Sequence, residues 1–131
     1  MSNQDPVSYL TRAMEAKERV LGPEHPSTLG SLNNLALLYK SQGKYEQAEP
    51  LYQRALEARE RVLGPEHPDT LSTVNNLALL FADQGKYEQA EPLYQRALMT
   101  YERVLGSEHP TTIRVRNNYA NLFEKMKQKT E

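Results

Sequence analysis

Apolar residues recur along most of the chain at spacings of three and four. The first complete example starts at Pro26 and places its apolar side chains at Leu29, Leu32, Leu35, Ala36 and Tyr39. This spacing is typical of an amphipathic α-helix. Proline suits the first helical position, because no intrahelical N–H is needed there, and the glycine at position 43 supplies a stop. The pattern predicts a first helix, helix A, from Pro26 to about Gly43.

A second amphipathic pattern follows at once. Its apolar positions are Tyr45, Ala48, Tyr52, Ala55, Leu56 and Leu63, and Gly64 comes directly after them. The pattern predicts helix B from about Lys44 to Leu63. Pro50, and Pro92 one repeat later, lie some five residues into such a helix, where proline removes a backbone hydrogen bond, so we expect an early kink.

The two-helix pattern repeats every 42 residues. Residues 22–63 recur as residues 64–105 with 32 of 42 positions identical, and a third copy starts at Gly106 and decays after Phe123. Residues 7–21 align with the second half of a unit, and Asp5–Pro6 is expected to cap that leading helix B. The sequence predicts a single array over 1–131: a half repeat at 7–21, repeats at 22–63 and 64–105, and a half repeat with a tail at 106–131. The predicted helix order is B-A-B-A-B-A.

One such hairpin cannot bury its apolar face alone, so neighbouring hairpins are expected to stack as a solenoid. Small residues, among them Ala36, Ala78 and Ala120, would permit close helix approach. Tyr39, Phe81 and Phe123 would fill the gaps between the helices.

The segment NLALLYKSQGKYEQAEPLYQRAL resembles the tetratricopeptide pattern. Its signature positions are Leu35, Ala36, Tyr39, Gly43, Tyr45, Ala48, Tyr52 and Ala55. The likeness is strongest to the 42-residue variant found in kinesin light chains, which shares the LG-PEHP loop and the paired asparagines. The resemblance implies an all-α fold, a right-handed α-α superhelical solenoid of helix hairpins. It also implies a protein-interaction module in which helices A line a concave groove and take peptides or partner helices.

A row of residues on helix A would then face the groove. In the first unit it runs through Gly30, Asn33, Leu37 and Lys40, which lie on a face distinct from the packing face. The equivalent residues are Ser72, Asn75, Leu79 and Ala82 in the second unit and Arg114, Asn117, Asn121 and Glu124 in the third. We call the expected peptide-contacting members the groove row: Asn33, Leu37, Lys40, Asn75, Leu79, Arg114, Asn117 and Asn121.

Asparagines that recur every 42 residues could contact the backbone of a bound peptide, because an amide offers both donors and an acceptor. The alternative is that Asn33, Asn75 and Asn117, or their neighbours Asn34, Asn76 and Asn118, bond between adjacent hairpins and hold the stack together. Both interpretations stay open from the sequence.

Composition narrows the function classes. Sixteen Lys and Arg balance seventeen Asp and Glu, so no overall basic field attracts nucleic acid or membrane, and no apolar run is long enough to span a bilayer. The absence of cysteine excludes thiolate metal sites and disulfides and agrees with a cytoplasmic protein. Partners are therefore expected to be proteins or peptides, without cofactor, nucleic acid or membrane.

Catalysis and metal binding are not expected. No Ser-His-Asp arrangement, glycine-rich phosphate loop or H-E-x-x-H motif occurs. His25, His67 and His109 recur one repeat apart, roughly 10 Å in a stack, whereas ligand bonds to a metal need about 2 Å. We expect these histidines to cap or order the loop before each proline.

The chain starts and stops in mid-repeat, so its two outer helices are expected to lack a partner. Tyr119 and Phe123 should face the missing helix, and Arg116, which replaces the apolar Leu32 and Val74, would act as a partial cap. Either a longer natural chain supplies the partner, or chain ends associate head to tail as a homo-oligomeric scaffold. Self-association is thus the alternative function.

Overall fold

The computed structural model describes residues 5–130 of the chain, with side chains for residues 5–129. Within that range the secondary structure consists of six α-helices. They are α1 (Pro6–Leu21), α2 (Pro26–Ser41), α3 (Tyr45–Leu63), α4 (Pro68–Asp83), α5 (Tyr87–Leu105) and α6 (Pro110–Thr130). Helices α1, α3 and α5 are the expected helices B, and α2, α4 and α6 are the expected helices A. The predicted order is confirmed.

Side-chain caps fix where helices begin. The carboxylate of Asp5 accepts a hydrogen bond from the Ser8 backbone N–H at 2.9 Å, directly before Pro6. The three histidines cap in the same way through Nδ1, which accepts the backbone N–H two residues on: Ser27 at 3.0 Å, Asp69 at 3.0 Å and Thr111 at 3.1 Å. The capping role expected for the Glu-His-Pro loops is confirmed.

Glycines fix where helices end. Each of the five junctions between helices contains one glycine with positive φ, at positions 22, 43, 64, 85 and 106. At Gly43 the glycine N–H donates to the Lys40 carbonyl and the Lys44 N–H donates to the Tyr39 carbonyl, both at 2.9 Å. These two bonds form a Schellman motif, which satisfies carbonyls that the helix leaves open.

The chain divides into two compact units, one ending at Thr73 and the other beginning at Val74. In the first unit α2 packs against both α1 and α3. The core of this unit is a cluster of Met14, Leu29, Leu32, Leu35, Ala55 and Ala58, with Val7, Leu10, Tyr39 and Leu51 packed around it. Leu29, Leu32, Leu35, Tyr39 and Ala55 are among the apolar positions that the spacing of three and four predicted, whereas the other five residues were not singled out.

Polar bonds tie α3 to the start of α4 inside the first unit. The Arg59 guanidinium donates to the Asp69 carbonyl at 3.2 Å and to the Thr73 hydroxyl at 2.8 Å. One repeat earlier, Lys17 Nζ donates to the Ser31 hydroxyl at 3.0 Å. Residues at equivalent positions of two repeats thus make equivalent contacts between neighbouring helices.

The second unit contains the end of α4, with α5 packed against α6. Its buried residues include Val74, Leu77, Ala78, Leu80, Phe81, Ala90, Tyr94, Ala97, Val115 and Leu122. Two sequence expectations fail here: Ala120 is exposed, and Phe123 keeps 44% of its surface exposed instead of filling a gap. The Phe123 ring stacks on Tyr119 of the same helix, and its remaining exposed surface agrees with the other expectation, that this residue faces a missing helix.

Candidate functional site

The first unit carries three members of the groove row on α2. Leu37 is a large apolar side chain with 51% of its surface exposed, although the helix buries Leu32, Leu35 and Ala36 on its opposite side. Asn33 and Lys40 are half-buried beside it. An exposed leucine between two polar residues is a suitable contact point for an apolar side chain of a partner.

The second unit carries the other members on α4 and α6. Asn75 is buried, with 6% of its surface exposed, and Leu79 is half-buried. On α6, Arg114, Asn117 and Asn121 are all exposed. The row is therefore not uniform in depth: Asn75 is buried, Leu79 is half-buried, and the members on α6 lie at the surface.

Two asparagines of the row share an unusual polar feature. The Oδ1 atoms of Asn33 and Asn75 are both buried, and within residues 5–130 neither accepts a hydrogen bond. A buried acceptor without a donor costs about 1–3 kcal/mol, so buried polar groups without a partner are rare in folded proteins. The two positions are equivalent in the repeat, so the feature recurs with it.

A small cavity of about 50 Å³ lies beside the row in the second unit. Its walls come from all three helices of that unit: Leu79, Ala82 and Asp83 of α4, Tyr94 of α5, and Asn118, Asn121, Leu122 and Lys125 of α6. Leu79 and Asn121 belong to the groove row, so the structure brings these two predicted site residues together. Sequence analysis did not single out Asp83, Tyr94 or Lys125 as site residues.

Comparison with known proteins agrees with this architecture. The tetratricopeptide repeat family model matches residues 7–60, 30–99 and 72–131, which together span nearly the whole chain. The chain belongs to the tetratricopeptide repeat family. Nephrocystin-3 from Xenopus laevis and from Xenopus tropicalis are each 43% identical to it over 47 residues, which is 36% of the chain and 4% of either relative.

Solved structures match a larger part of the chain than these relatives do. A protein described as a kinesin light chain from Podosopora anserina, with nearly identical tetratricopeptide-like repeats, superposes with a TM-score of 0.86 at 26% identity. That comparison covers 93% of this chain and 58% of the other. BtubC from P. vanneervenii has the same fold, with a TM-score of 0.82 at 24% identity over 90% of this chain and 47% of its own. The expected all-α tetratricopeptide fold, of the kinesin light chain kind, is confirmed.

An aromatic cluster joins the last two tetratricopeptide helices. Tyr119 of α6 stacks between Tyr94 of α5, at a ring-centroid distance of 5.9 Å, and Phe123, at 4.9 Å. Tyr119 is half-buried by these contacts, and burial, together with the negative charge of Glu91 and a hydrogen bond to it, raises the pKa of the Tyr119 hydroxyl. Phe123 is the outer, more exposed ring of the stack.

Arg116, expected as a partial cap, bonds to the α5–α6 junction. Its guanidinium donates to the Ser107 carbonyl at 2.9 Å and lies 3.4 Å from the Glu102 carboxylate. In the first unit, Arg54 of α3 pairs with Glu18 of α1 at 2.8 Å. Both arginines therefore hold helices together.

Features that would indicate other functions are not found in the described structure. Between residues 5 and 130, no helix combines the length and apolar character that a bilayer span requires. Over the same residues, no three His, Asp or Glu side chains lie close enough together to hold a metal ion. Tetratricopeptide repeats generally mediate protein–protein interaction and typically act as non-enzymatic scaffolds.

Proposed function

We propose that the groove row binds a peptide segment or helix of a partner protein. The observation that carries this proposal is the pair of buried amide oxygens on Asn33 and Asn75 without a hydrogen-bond donor in the described structure. A bound peptide supplies backbone N–H groups, and a small side-chain movement would let an asparagine meet them. The free-energy cost of the unpaired acceptors is then recovered on binding.

The burial and charge of the groove row support a binding surface that is mainly uncharged. Leu37 offers exposed apolar area, whereas Lys40 and Arg114 are the basic members of the row. Backbone contacts through asparagine do not depend on the ligand side chains. We therefore infer that the leucines and the surrounding pockets, more than charge, select the ligand sequence, in a cytoplasmic partner protein or peptide.

The test is selection of ligands from a displayed library of random dodecapeptides on the full chain. Leu37→Glu should lower the affinity of the selected peptides at least tenfold, because it places a charge where an apolar contact is expected. Val62→Glu is the matched control, since Val62 on α3 is 48% exposed, close to the 51% of Leu37, but lies outside the row. The control should bind normally.

A second pair of changes tests the row in the other unit. Asn75→Ala together with Leu79→Glu should abolish peptide capture and leave helicity unchanged, as judged by circular dichroism. Asn75→Leu, in contrast, should leave the free energy of unfolding unchanged or raise it, since it removes an unpaired acceptor. The groove assignment would be refuted if the double variant captured peptides as wild type does and Leu37→Glu also left peptide affinity unchanged.

Self-association is the second candidate function, and the exposed ring of Phe123 favours it. An aromatic side chain with 44% of its surface exposed, stacked on Tyr119, suits a contact with a second copy of the chain. Molar mass measured by light scattering across a wide concentration range should then rise with concentration, and Phe123→Glu should restore a monomer. A molar mass that stays monomeric throughout excludes this candidate.

A further inference from the structure

One face of α6 is open at repeat positions that are buried in the earlier helices A. Ala36 of α2 and Ala78 of α4 are fully buried, whereas Ala120 at the equivalent position of α6 is exposed. Phe81 of α4 keeps 4% of its surface exposed, and its equivalent Phe123 keeps 44%. We call Ala120 and Phe123 the α6 face. The same residue types therefore lie on a covered face in α4 and on an open face in α6.

The first unit shows what covers this face of a helix A. Ala55 and Ala58 of α3 lie in one apolar cluster with Leu35 of α2, and Leu51 of α3 and Tyr39 of α2 pack against that cluster. Tyr39 occupies the repeat position of the exposed aromatic ring on α6. A surface that fits the α6 face is therefore that of a helix B, with two alanines beside a larger apolar side chain.

Helix α1 has the sequence of such a helix B. Eight of the eleven residues 11–21 are identical to the residues one repeat later in α3. The bond from Lys17 of α1 to Ser31 of α2 also repeats the bond from Arg59 of α3 to Thr73 of α4. Helix α1 thus packs on the helix A that follows it, as α3 does, and its other side remains available.

Exposure identifies the available side of α1. Ala55 and Ala58 of α3 keep 0% and 5% of their surface exposed, whereas Ala13 and Ala16 at the equivalent positions of α1 are half-buried. Tyr9, one helical turn before Ala13 and at the repeat position of a leucine in α3, is 67% exposed. These three residues of α1 are spaced by four and three, so they share one side of the helix. We call them the α1 face.

The connection after α6 differs from the connections after α2 and α4. Those two helices are followed by Gly43 and Gly85, whose positive φ angles belong to the turn into the next helix B. The equivalent residue is Lys127, and α6 remains helical through it to Thr130. The tight turn that brings a helix B onto α2 is therefore not made at this position of the described structure, which favours a covering helix from a second copy.

We infer that the α6 face of one copy binds the α1 face of a second copy, so that chains associate head to tail. The contact would repeat the pairing of α2 with α3 between two molecules. The alanines allow two helices to approach closely, and Tyr9 and Phe123 supply the larger apolar side chains. The inference rests on self-association, the second candidate function, and names the two surfaces that carry it.

Two variants, each blocked on one face, test this contact. Tyr9→Glu places a charge on the α1 face and Phe123→Glu places one on the α6 face, at exposed positions where folding should persist, as circular dichroism can verify. Light scattering up to about 1 mM protein detects weak association. The molar mass of wild type should rise with concentration, and each variant alone should remain monomeric.

The equimolar mixture of the two variants is the decisive sample. Tyr9→Glu retains an intact α6 face and Phe123→Glu retains an intact α1 face, so one copy of each should form a dimer. Because no further pair of intact faces remains in that dimer, its molar mass should stop at twice that of the monomer.

Met99→Glu is the matched control. Met99 of α5 is 62% exposed, close to the 67% of Tyr9, and Glu57 at the equivalent position of α3 is exposed as well. This position therefore lies outside the pairing of a helix B with a helix A, and the control should associate as wild type does. Ala120→Glu provides a second block of the α6 face and decides if Phe123→Glu does not fold.

The outcomes separate this inference from self-association in general. A symmetric contact between two α6 faces would make Phe123→Glu monomeric and leave Tyr9→Glu associating as wild type does. That result, or a mixture of the two variants that stays monomeric, refutes the head-to-tail contact while self-association of wild type stands. If wild type is monomeric at every concentration, both fall, and peptide binding by the groove row is unaffected.

Discussion

At the residue scale, three histidines do the work that serine, threonine, asparagine or aspartate usually do at helix starts. Each presents Nδ1 as an acceptor to a backbone N–H within 3.0–3.1 Å. An imidazole can accept through that nitrogen only when the nitrogen carries no proton. At the starts of α2, α4 and α6 the ring nitrogen therefore takes the place of the usual side-chain oxygen acceptor.

Loss of these caps should lower stability. Replacing His25, His67 and His109 with alanine removes the acceptor at each helix start, so the free energy of unfolding should fall by about 0.5–2 kcal/mol for each cap. Urea unfolding of this variant and of wild type measures the loss.

The matched control replaces the same three histidines with asparagine, which is also a good N-cap. This variant should keep most of the wild-type stability. Equal stabilities of the alanine and asparagine variants would show that the caps contribute nothing.

Residue identity alone did not predict how deep each asparagine lies. Asn75 and Asn117 occupy equivalent repeat positions, yet Asn75 is buried and Asn117 is exposed. The periodicity places both on one helical face, but burial depends on what packs against that face. The sequence therefore predicted a shared helical face for these asparagines and could not predict which amide oxygen would lack a hydrogen-bond donor.

At the element scale, helix bounds were predictable because proline and glycine mark almost every one. The predicted start at Pro26 and end at Leu63 are found as expected, and α6 extends to Thr130, past its decaying repeat pattern. The kinks expected at Pro50 and Pro92 stay predictions. Both prolines lie inside continuous helices, α3 and α5.

The glycine junctions alternate between two backbone conformations, which should respond differently to substitution. Gly43 has φ of 76°, near the left-handed helical region that asparagine tolerates. Gly64 has φ of 97° and ψ of 159°, a region essentially restricted to glycine. A Cβ at either position meets no atom within 4 Å, so any difference between them arises from the backbone.

Gly43→Asn should therefore lower the free energy of unfolding by less than about 1 kcal/mol, and Gly64→Asn by about 1–3 kcal/mol. Chemical denaturation of the two variants against wild type gives both values. The conformational argument is wrong if the two substitutions cost the same.

At the scale of the whole molecule, the sequence was sufficient to predict the fold but not the small cavity between α4, α5 and α6. A period of 42 residues with 32 identities specifies the hairpin fold repeatedly and leaves little ambiguity. The cavity depends on side chains from α4, α5 and α6, up to 46 positions apart between Leu79 and Lys125. No spacing rule within one helix could have joined them.

Buried tyrosines set an alkaline limit on stability. Tyr52 is fully buried, and desolvation raises the pKa of its phenol from 10.0 to about 12. The native state thus resists ionisation of this phenol more than the unfolded chain does. The free energy of unfolding therefore has its full value below pH 10.0 and falls as the pH rises through about 12. The shift of about two pKa units corresponds to about 3 kcal/mol.

Tyr52→Phe should remove the fall in the free energy of unfolding that ionisation of this phenol causes at alkaline pH. The Tyr52 hydroxyl has no hydrogen-bond partner among residues 5–130, so the variant should be at least as stable as wild type at neutral pH. Denaturant midpoints measured from about pH 9 to about pH 12 provide the test. A midpoint that falls as steeply in the variant as in wild type would contradict it.

The positive φ angles of Gly43 and Gly85, both 76°, have a consequence for mirror-image chemistry. Glycine is achiral, and at this φ the residue that fits best is one of opposite handedness to the rest of the chain. A synthetic chain with D-alanine at both positions should keep its fold and lose backbone freedom when unfolded. Proteases that require L-residues should then be unable to cleave at two of the five helix junctions.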